Sequence, residues 1–229
     1  MSFYLNDLTE LERKWQQCWR NLPINSTPQG LHQQTEVDRV FQLLVTAYSK
    51  PDRHYHNLTH IHHVLITLER FSATLNHPIA VSLAAWFHDF VYDAQASDNE
   101  LQSAQAAGEL LIDLGGEKEL IDRVQELIMA TQGHQIVTAD FDRSIFLDAD
   151  LAILSADPVT YQAYSRSIRQ EYSWVSDPAY RAGRIRVLES FLQRDRLYYT
   201  ETLFNELESI ARNNLRLEIQ ICSSDSGWS

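Results

Sequence analysis

Cysteine is nearly absent: two residues, Cys18 and Cys222, lie far apart in a chain of 229 and form no CxxC spacing. A disulfide scaffold is excluded, and the composition suits a reducing compartment, so a cytoplasmic protein is expected. No apolar run approaches the roughly 18 residues that a membrane span needs. The first ten residues are acidic rather than basic and then apolar, so neither a signal peptide nor an anchor is expected. Positive charge is also short, with 19 Lys and Arg against 31 Asp and Glu, a net charge of −12. Such a field repels nucleic acid and anionic membranes, which removes both as expected partners. Strand signals are missing too: there is no Asn-Gly or Asp-Gly dipeptide, and no segment alternates with period two.

What is present reads as helix. With 44% hydrophobic and 22% charged residues the chain can bury a core and is not disordered. Leu8, Leu11, Trp15, Cys18 and Trp19 recur at three- and four-residue intervals between Asp7 and Arg20, the spacing of one helix face. Asn21 to Gly30 reads as a loop. Thr35 and Asp38 suggest a capping signal for a helix running to Tyr48, which Pro51 stops. A further stripe runs from Asn57 to Leu75, and Ile79 to Val91 after Pro78 is apolar on nearly every side, which predicts a buried central helix. Ser97 with Glu100 predicts a capping box for a helix to Leu114, ended by Gly115 and Gly116. Later helices are predicted at Lys118 to Thr131, Asp142 to Leu154, Pro158 to Trp174, Pro178 to Arg194 and Glu201 to Ile221, with Asp157 and Asp177 as N-caps before proline. The expected fold is all-α: one helical bundle of about nine or ten helices over 1–222, with a core over 35–155, C-terminal helices over 157–222 and a loose tail over 223–229.

Histidine is unevenly placed. Seven of nine fall between His54 and His88, with only His32 and His134 outside. Three strings stand out: Tyr55-His56-Asn57-Leu58-Thr59-His60, Phe87-His88-Asp89 and Leu147-Asp148-Ala149-Asp150-Leu151. His60, His88 and Asp150 each share a face with apolar residues, and a buried His or Asp is costly unless something satisfies it. A divalent cation would satisfy several at once. Two imidazoles and two carboxylates make a mixed N/O site suited to Mn, Fe, Ni, Co, Zn or, less well, Mg. The competing reading of each histidine is a hydrogen-bonded core residue, and a third possibility for the whole chain is a bundle whose histidines only pack.

The order His, then His-Asp, then Asp on successive helices resembles the HD superfamily of metal-dependent phosphohydrolases. The stretches RHYHNLTHI, WFHDFVYD, DNELQSA, FLDADLAIL and IRQEY, with the Gly183-Arg184 context, resemble a family of small bacterial proteins predicted to be HD phosphohydrolases, over roughly Thr35 to Leu217. The YHNxxH and ADL strings are also similar to the catalytic domains of cyclic-nucleotide phosphodiesterases. The resemblance implies His60, His88, Asp89 and Asp150 as ligands of one or two divalent ions. It implies His56 as the acid that protonates the leaving oxygen, and makes Asp148 the rival of Asp150, or else a supporting partner. After His-Asp this chain has Phe90, Val91, Tyr92 and Asp93 where the phosphodiesterases have a further acidic-His pair, so cyclic-nucleotide specificity is not carried over.

The expected activity is cleavage of a small phosphoester, a nucleotide among the candidates, by metal-activated water with His56 as general acid and Asp89 in the catalytic set. The alternative is a non-catalytic module of the same type that binds metal and nucleotide to regulate a partner. Arg53, His63, Asp93, His134 and Asp148 are secondary candidates for contacts to substrate or to the ligands. Glu171 and Arg184 rest on the family likeness alone. Nothing in the sequence indicates a homo-oligomer.

Overall fold

The computed structural model describes residues 5–20, 30–134 and 140–224. Among them there are ten α-helices, one 3-10 turn and no strand, an all-α protein. None of these helices is long and apolar enough to cross a membrane. The loop expected over 21–29 and the end of the tail, 225–229, lie outside the described residues. The chain divides into two compact units, Met1–Phe146 and Leu147–Ser229, where the sequence suggested one domain.

The first unit holds α1 (Leu5–Arg20), α2 (Gly30–Tyr48), α3 (Leu58–Glu69), α4 (Pro78–Phe87), α5 (Asn99–Asp113), α6 (Lys118–Ala130) and the start of α7 (Phe141–Asp150). Its centre is α4, whose Ala80, Val81 and Leu83 to Phe87 are all buried. The all-round apolar pattern made this the central helix, and α1, α3, α5 and α6 pack on it. Trp15 of α1 meets Trp86 and Phe87 edge-on at 5.6 and 6.1 Å, and its indole N–H donates to the Val37 carbonyl of α2. The Tyr48 hydroxyl, at the end of α2, donates to the Trp86 carbonyl at 2.8 Å. The ends of α2 and α4 are thereby tied together, which sets the spacing of the loops that leave them.

Several boundaries differ from expectation. Helix α2 already runs through Thr35, so no cap forms there. Helix α3 ends at Glu69, and the turns of 70–74 replace its last predicted turn. Asp98 rather than Ser97 is the N-cap of α5, without a side-chain cap bond, so the predicted capping box is not formed. The C-terminus of that helix follows expectation: Gly115 takes φ +78°, and the Gly116 N–H returns to the Leu111 carbonyl. Helix α4 stops at Phe87, four residues short of Val91, and the two residues that lead into it are held from afar. The carboxylate of fully buried Asp142 accepts from the Asn76 and His77 amides at 2.8 Å each.

The second unit takes in the end of α7, the 3-10 turn Leu151–Ser155, α8 (Pro158–Glu171), α9 (Asp177–Leu192) and α10 (Glu201–Ser223). Asp157 caps α8 by accepting from the Val159 and Thr160 amides, as the Asp-Pro signal implied. Asp177, expected as a cap, is instead the first residue of α9, after Ser176. The 3-10 turn and α9 pack on α10. Glu218 is fully buried and takes a two-pronged bond from Arg184 (2.8 and 3.1 Å), with Ser165 and Tyr161 hydroxyls completing its partners.

Candidate metal centre in the first unit

The site begins with the turn after α2. The Arg53 N–H returns to the Lys50 carbonyl, Asn57 N–H to the Tyr55 carbonyl, and the Asn57 amide side chain bridges the His54 carbonyl to the Thr59 N–H, capping α3. His56 therefore precedes the helix rather than sharing its face with His60. His60 lies in the first turn of α3 and is 4% exposed.

His88 and Asp89 occupy the turn that ends α4, which resolves a geometric problem. Neighbours within a helix point about 100° apart and cannot converge on one ion. Beyond the helix end they can. His88 Nε2 is 3.1 Å from Asp89 Oδ2, His60 Nε2 is 3.5 Å from the same oxygen, and the two Nε2 atoms are 3.1 Å apart. An ion held about 2.1 Å from three donors requires donor separations of about 3.0 Å in octahedral and about 3.4 Å in tetrahedral geometry. The three atoms fit that requirement.

The protonation pattern fits as well. His88 Nδ1 lies 3.0 Å from the Ala85 carbonyl, which can only accept, so Nδ1 carries the proton. In the neutral ring, Nε2 then presents its lone pair toward the Asp89 carboxylate. Two acceptors at 3.1 Å repel unless a cation stands with them, and a backbone carbonyl on the outer nitrogen is the usual support of a ligating histidine. Burial would raise the Asp89 pKa, but the His88, His56 and His60 rings, in their protonated forms, outweigh burial and hold the carboxyl below its ordinary range; a cation among the neutral rings would act in the same direction.

His56 is half-buried beside this group. Its ring stacks on Tyr92 at 4.2 Å and 29°, meets Tyr55 edge-on at 4.9 Å and lies 6.0 Å from the His60 ring. Arg53, expected to contact substrate or the ligands, is 5% exposed, and its guanidinium is directed at backbone carbonyls, that of Asp89 among them. Nη1 donates to the His56 and Asp89 carbonyls at 3.2 and 2.6 Å, and Nη2 to the Phe90 carbonyl at 2.8 Å. His63, a candidate for contact with the ligands, lies outside the group. His62 is the more buried and pairs with Glu10, whereas His63 is exposed on the outer side of α3. Asp93 is exposed and organises the loop before α5, accepting from Gln95 N–H. His134 sits in a left-handed turn (φ +49°) after α6.

Asp148 and Asp150 belong to the second unit. Asp148 is fully buried with both oxygens engaged: Oδ1 accepts from Tyr199 N–H (2.7 Å), and Oδ2 from Thr200 N–H (2.8 Å) and its hydroxyl (2.7 Å). These three bonds make Asp148 an anchor of the strap before α10. Asp150 is half-buried at the end of α7. Arg184 and Glu171 are buried, Arg184 in the Glu218 ion pair. The sequence reading missed Tyr92 and Tyr48, which flank Arg53; the one available signal was an arginine two residues before Tyr55-His56 in an aromatic context.

No family model, curated protein or solved structure matches the chain. The site is therefore read from its own geometry and from the sequence pattern.

Proposed function

We propose that the protein is a metal-dependent phosphohydrolase of HD type acting on a small phosphoester. The observation that carries this reading is the convergence of His60 Nε2, His88 Nε2 and Asp89 Oδ2 within 3.5 Å of one another, with His56 half-buried beside them. His60, His88 and Asp89 would hold the divalent ion, and the sequence pattern adds Asp150. When bound, such an ion acidifies a water and neutralises charge on phosphoryl oxygens. The residues do the rest. His88, fixed by Ala85, keeps a lone pair on Nε2 directed inward. Asp89 supplies the negative charge that favours a dication over two protonated rings. His56, an imidazole able to carry a proton near neutral pH, is placed to give it to the departing alkoxide. One acid and one ion-binding triad are what hydrolysis of a phosphoester requires of a protein, because positioning and charge account for most of the catalysis.

The test combines metal analysis with turnover. The protein is expected to bind Mn²⁺ in a defined stoichiometry by titration calorimetry, and His88→Ala and Asp89→Ala to lose it while keeping helical circular dichroism. Asp150→Ala is measured separately for the fourth position. With Mn²⁺ the wild type is expected to hydrolyse bis-p-nitrophenyl phosphate or a member of a nucleotide panel. Metal bound without any turnover would instead select a non-catalytic binding module; no metal bound would overturn both.

A further inference from the structure

We propose that Arg53 and Tyr92 are positioning residues that fix the His56 imidazole relative to the His88-Asp89 turn. The inference rests on the reading of His56 as the leaving-group acid. Arg53 is buried, and its guanidinium reaches the backbone on both sides of the site: the His56 carbonyl on the acid's loop, and the Asp89 and Phe90 carbonyls on the ligand's turn. No other side chain shape makes these bonds at once. A guanidinium spreads its donors in a rigid plane, whereas an ammonium is a point charge without a fixed fork.

The same group is stacked. Its carbon lies 4.9 Å from the Tyr48 ring centroid and 5.6 Å from that of Tyr92, and Tyr92 in turn stacks on His56. Tyr48 is itself bonded to the Trp86 carbonyl in α4. A continuous column, Tyr48 to Arg53 to Tyr92 to His56, thus runs from the buried central helix to the proton donor. A strut that merely closed a loop would need the carbonyl bonds alone. The addition of Tyr92, which belongs to the loop beyond Asp89 and lies flat on the imidazole, restricts the ring itself. A general acid misplaced by an ångström loses most of its advantage, so a stacked ring is a direct way to hold it.

Two readouts test this. The first is independent of turnover: the His56 ring proton resonances, assigned with His56→Gln, carry the ring-current shift of Tyr92. Arg53→Met, which leaves the Tyr92 ring in the protein, is expected to move them toward exposed-histidine positions, Tyr92→Phe to retain them, and Arg53→Lys to fail to retain them; Tyr92→Leu, which removes the ring current itself, is read by turnover. Mn²⁺ affinity of Tyr92→Leu is expected to stay within about three-fold of wild type, since the ligands are untouched. The second readout is leaving-group dependence. An alkyl phosphodiester needs its leaving oxygen protonated and a p-nitrophenyl diester scarcely does, so Tyr92→Leu should lose about ten-fold or more on the former and under about three-fold on the latter. Simple structural damage would lower both alike. Tyr92→Leu at a half-buried position folds more readily than Arg53→Met and keeps the test open if the latter does not fold. Unmoved His56 resonances in folded Arg53→Met or Arg53→Lys overturn the proposal whatever the turnover. Moved resonances in a protein that hydrolyses neither ester support the positioning and overturn the phosphohydrolase reading instead.

Discussion

Asp148 gives the sharpest prediction, because ligand and anchor readings of it diverge in both stability and metal content. Its two oxygens accept from Tyr199 N–H, Thr200 N–H and the Thr200 hydroxyl, and the residue is fully buried. Asp148→Ala orphans three donors at about 1 to 2 kcal/mol each, so the gross cost is about 4 kcal/mol. Burial opposes this by pushing the Asp148 carboxyl up to about 6 from 3.8, although the Thr200 and Tyr199 donors pull the other way. At about 1.4 kcal/mol per tenfold, keeping it ionised in the fold at neutral pH costs about 3 kcal/mol. The sign follows: a carboxyl whose pKa is raised on folding contributes stability that is complete below pH 3.8 and is lost as pH rises through about 6. The penalty of Asp148→Ala should therefore be about 4 kcal/mol at pH 4.5 and shrink to about 1 or 2 kcal/mol at pH 7.5. Asp148→Asn, which resembles the protonated form, should lack the wild type's decline between these values. Urea denaturation at the two pH values, with metal content measured on the same samples, checks both halves. A penalty that grows with pH, or loss of bound Mn²⁺ with stability intact, would refute the reasoning and restore Asp148 as a ligand.

Other perturbations follow the same logic. Asp142→Ala removes the acceptor of the Asn76 and His77 amides at the start of α4, and should cost about 2 to 3 kcal/mol with faster amide exchange at those two residues. Arg184→Met leaves Glu218 charged and buried, and should cost about 3 to 5 kcal/mol by urea denaturation, part of which Arg184→Met combined with Glu218→Gln recovers. Gly115→Ala places a side chain at φ +78° and should cost about 1 kcal/mol in thermal or urea unfolding, with no change in metal binding.

Much of the fold was legible because its helices are stated locally. The stripes of α1 and α6, the all-round apolar run of α4, the Asp157-Pro158 start and the Gly115 stop each act within a turn of the residues that encode them. The errors fall where the deciding partner is remote. Nothing near His77 indicates that Asp142, 65 residues on, accepts from its amide. Nothing near Asp148 indicates that residues 51 and 52 positions later consume its carboxylate. The Ser97-Glu100 pattern fits a capping box, yet the loop before α5 is organised by the Asn99 side chain, whose oxygen accepts from the Asp93 N–H and whose amide donates to the Asp93 carbonyl. For the site, the residue types and their order were readable. How an adjacent His and Asp could converge was not, because it depends on α4 ending four residues before its apolar pattern does.

The acidic residues separate by what surrounds them. The chain carries −12, and four of its buried carboxylates are accounted for by the fold. Asp142 holds the Asn76 and His77 amides that lead into α4, Asp148 and Glu208 hold the strap from Leu197 to Thr200 by its amides, and Glu218 pairs with Arg184. Each is met by donors whose protons point at the oxygens, which is how a protein makes an internal anion tolerable without a metal. Asp89 differs in kind. Its oxygen faces the Nε2 atoms of His60 and His88, and His88 has committed its other nitrogen's proton to Ala85. A neutral ring can meet such an anion only through an N–H, and the His88 nitrogen that faces Asp89 offers a lone pair instead. One dication would satisfy that lone pair, His60 and the carboxylate together. Asp89 is also half-buried where the other four are buried, and sequence spacing does not separate them. The nature of the atoms facing them does, and it selects Asp89 as the carboxylate of the first unit whose surroundings call for a metal ion.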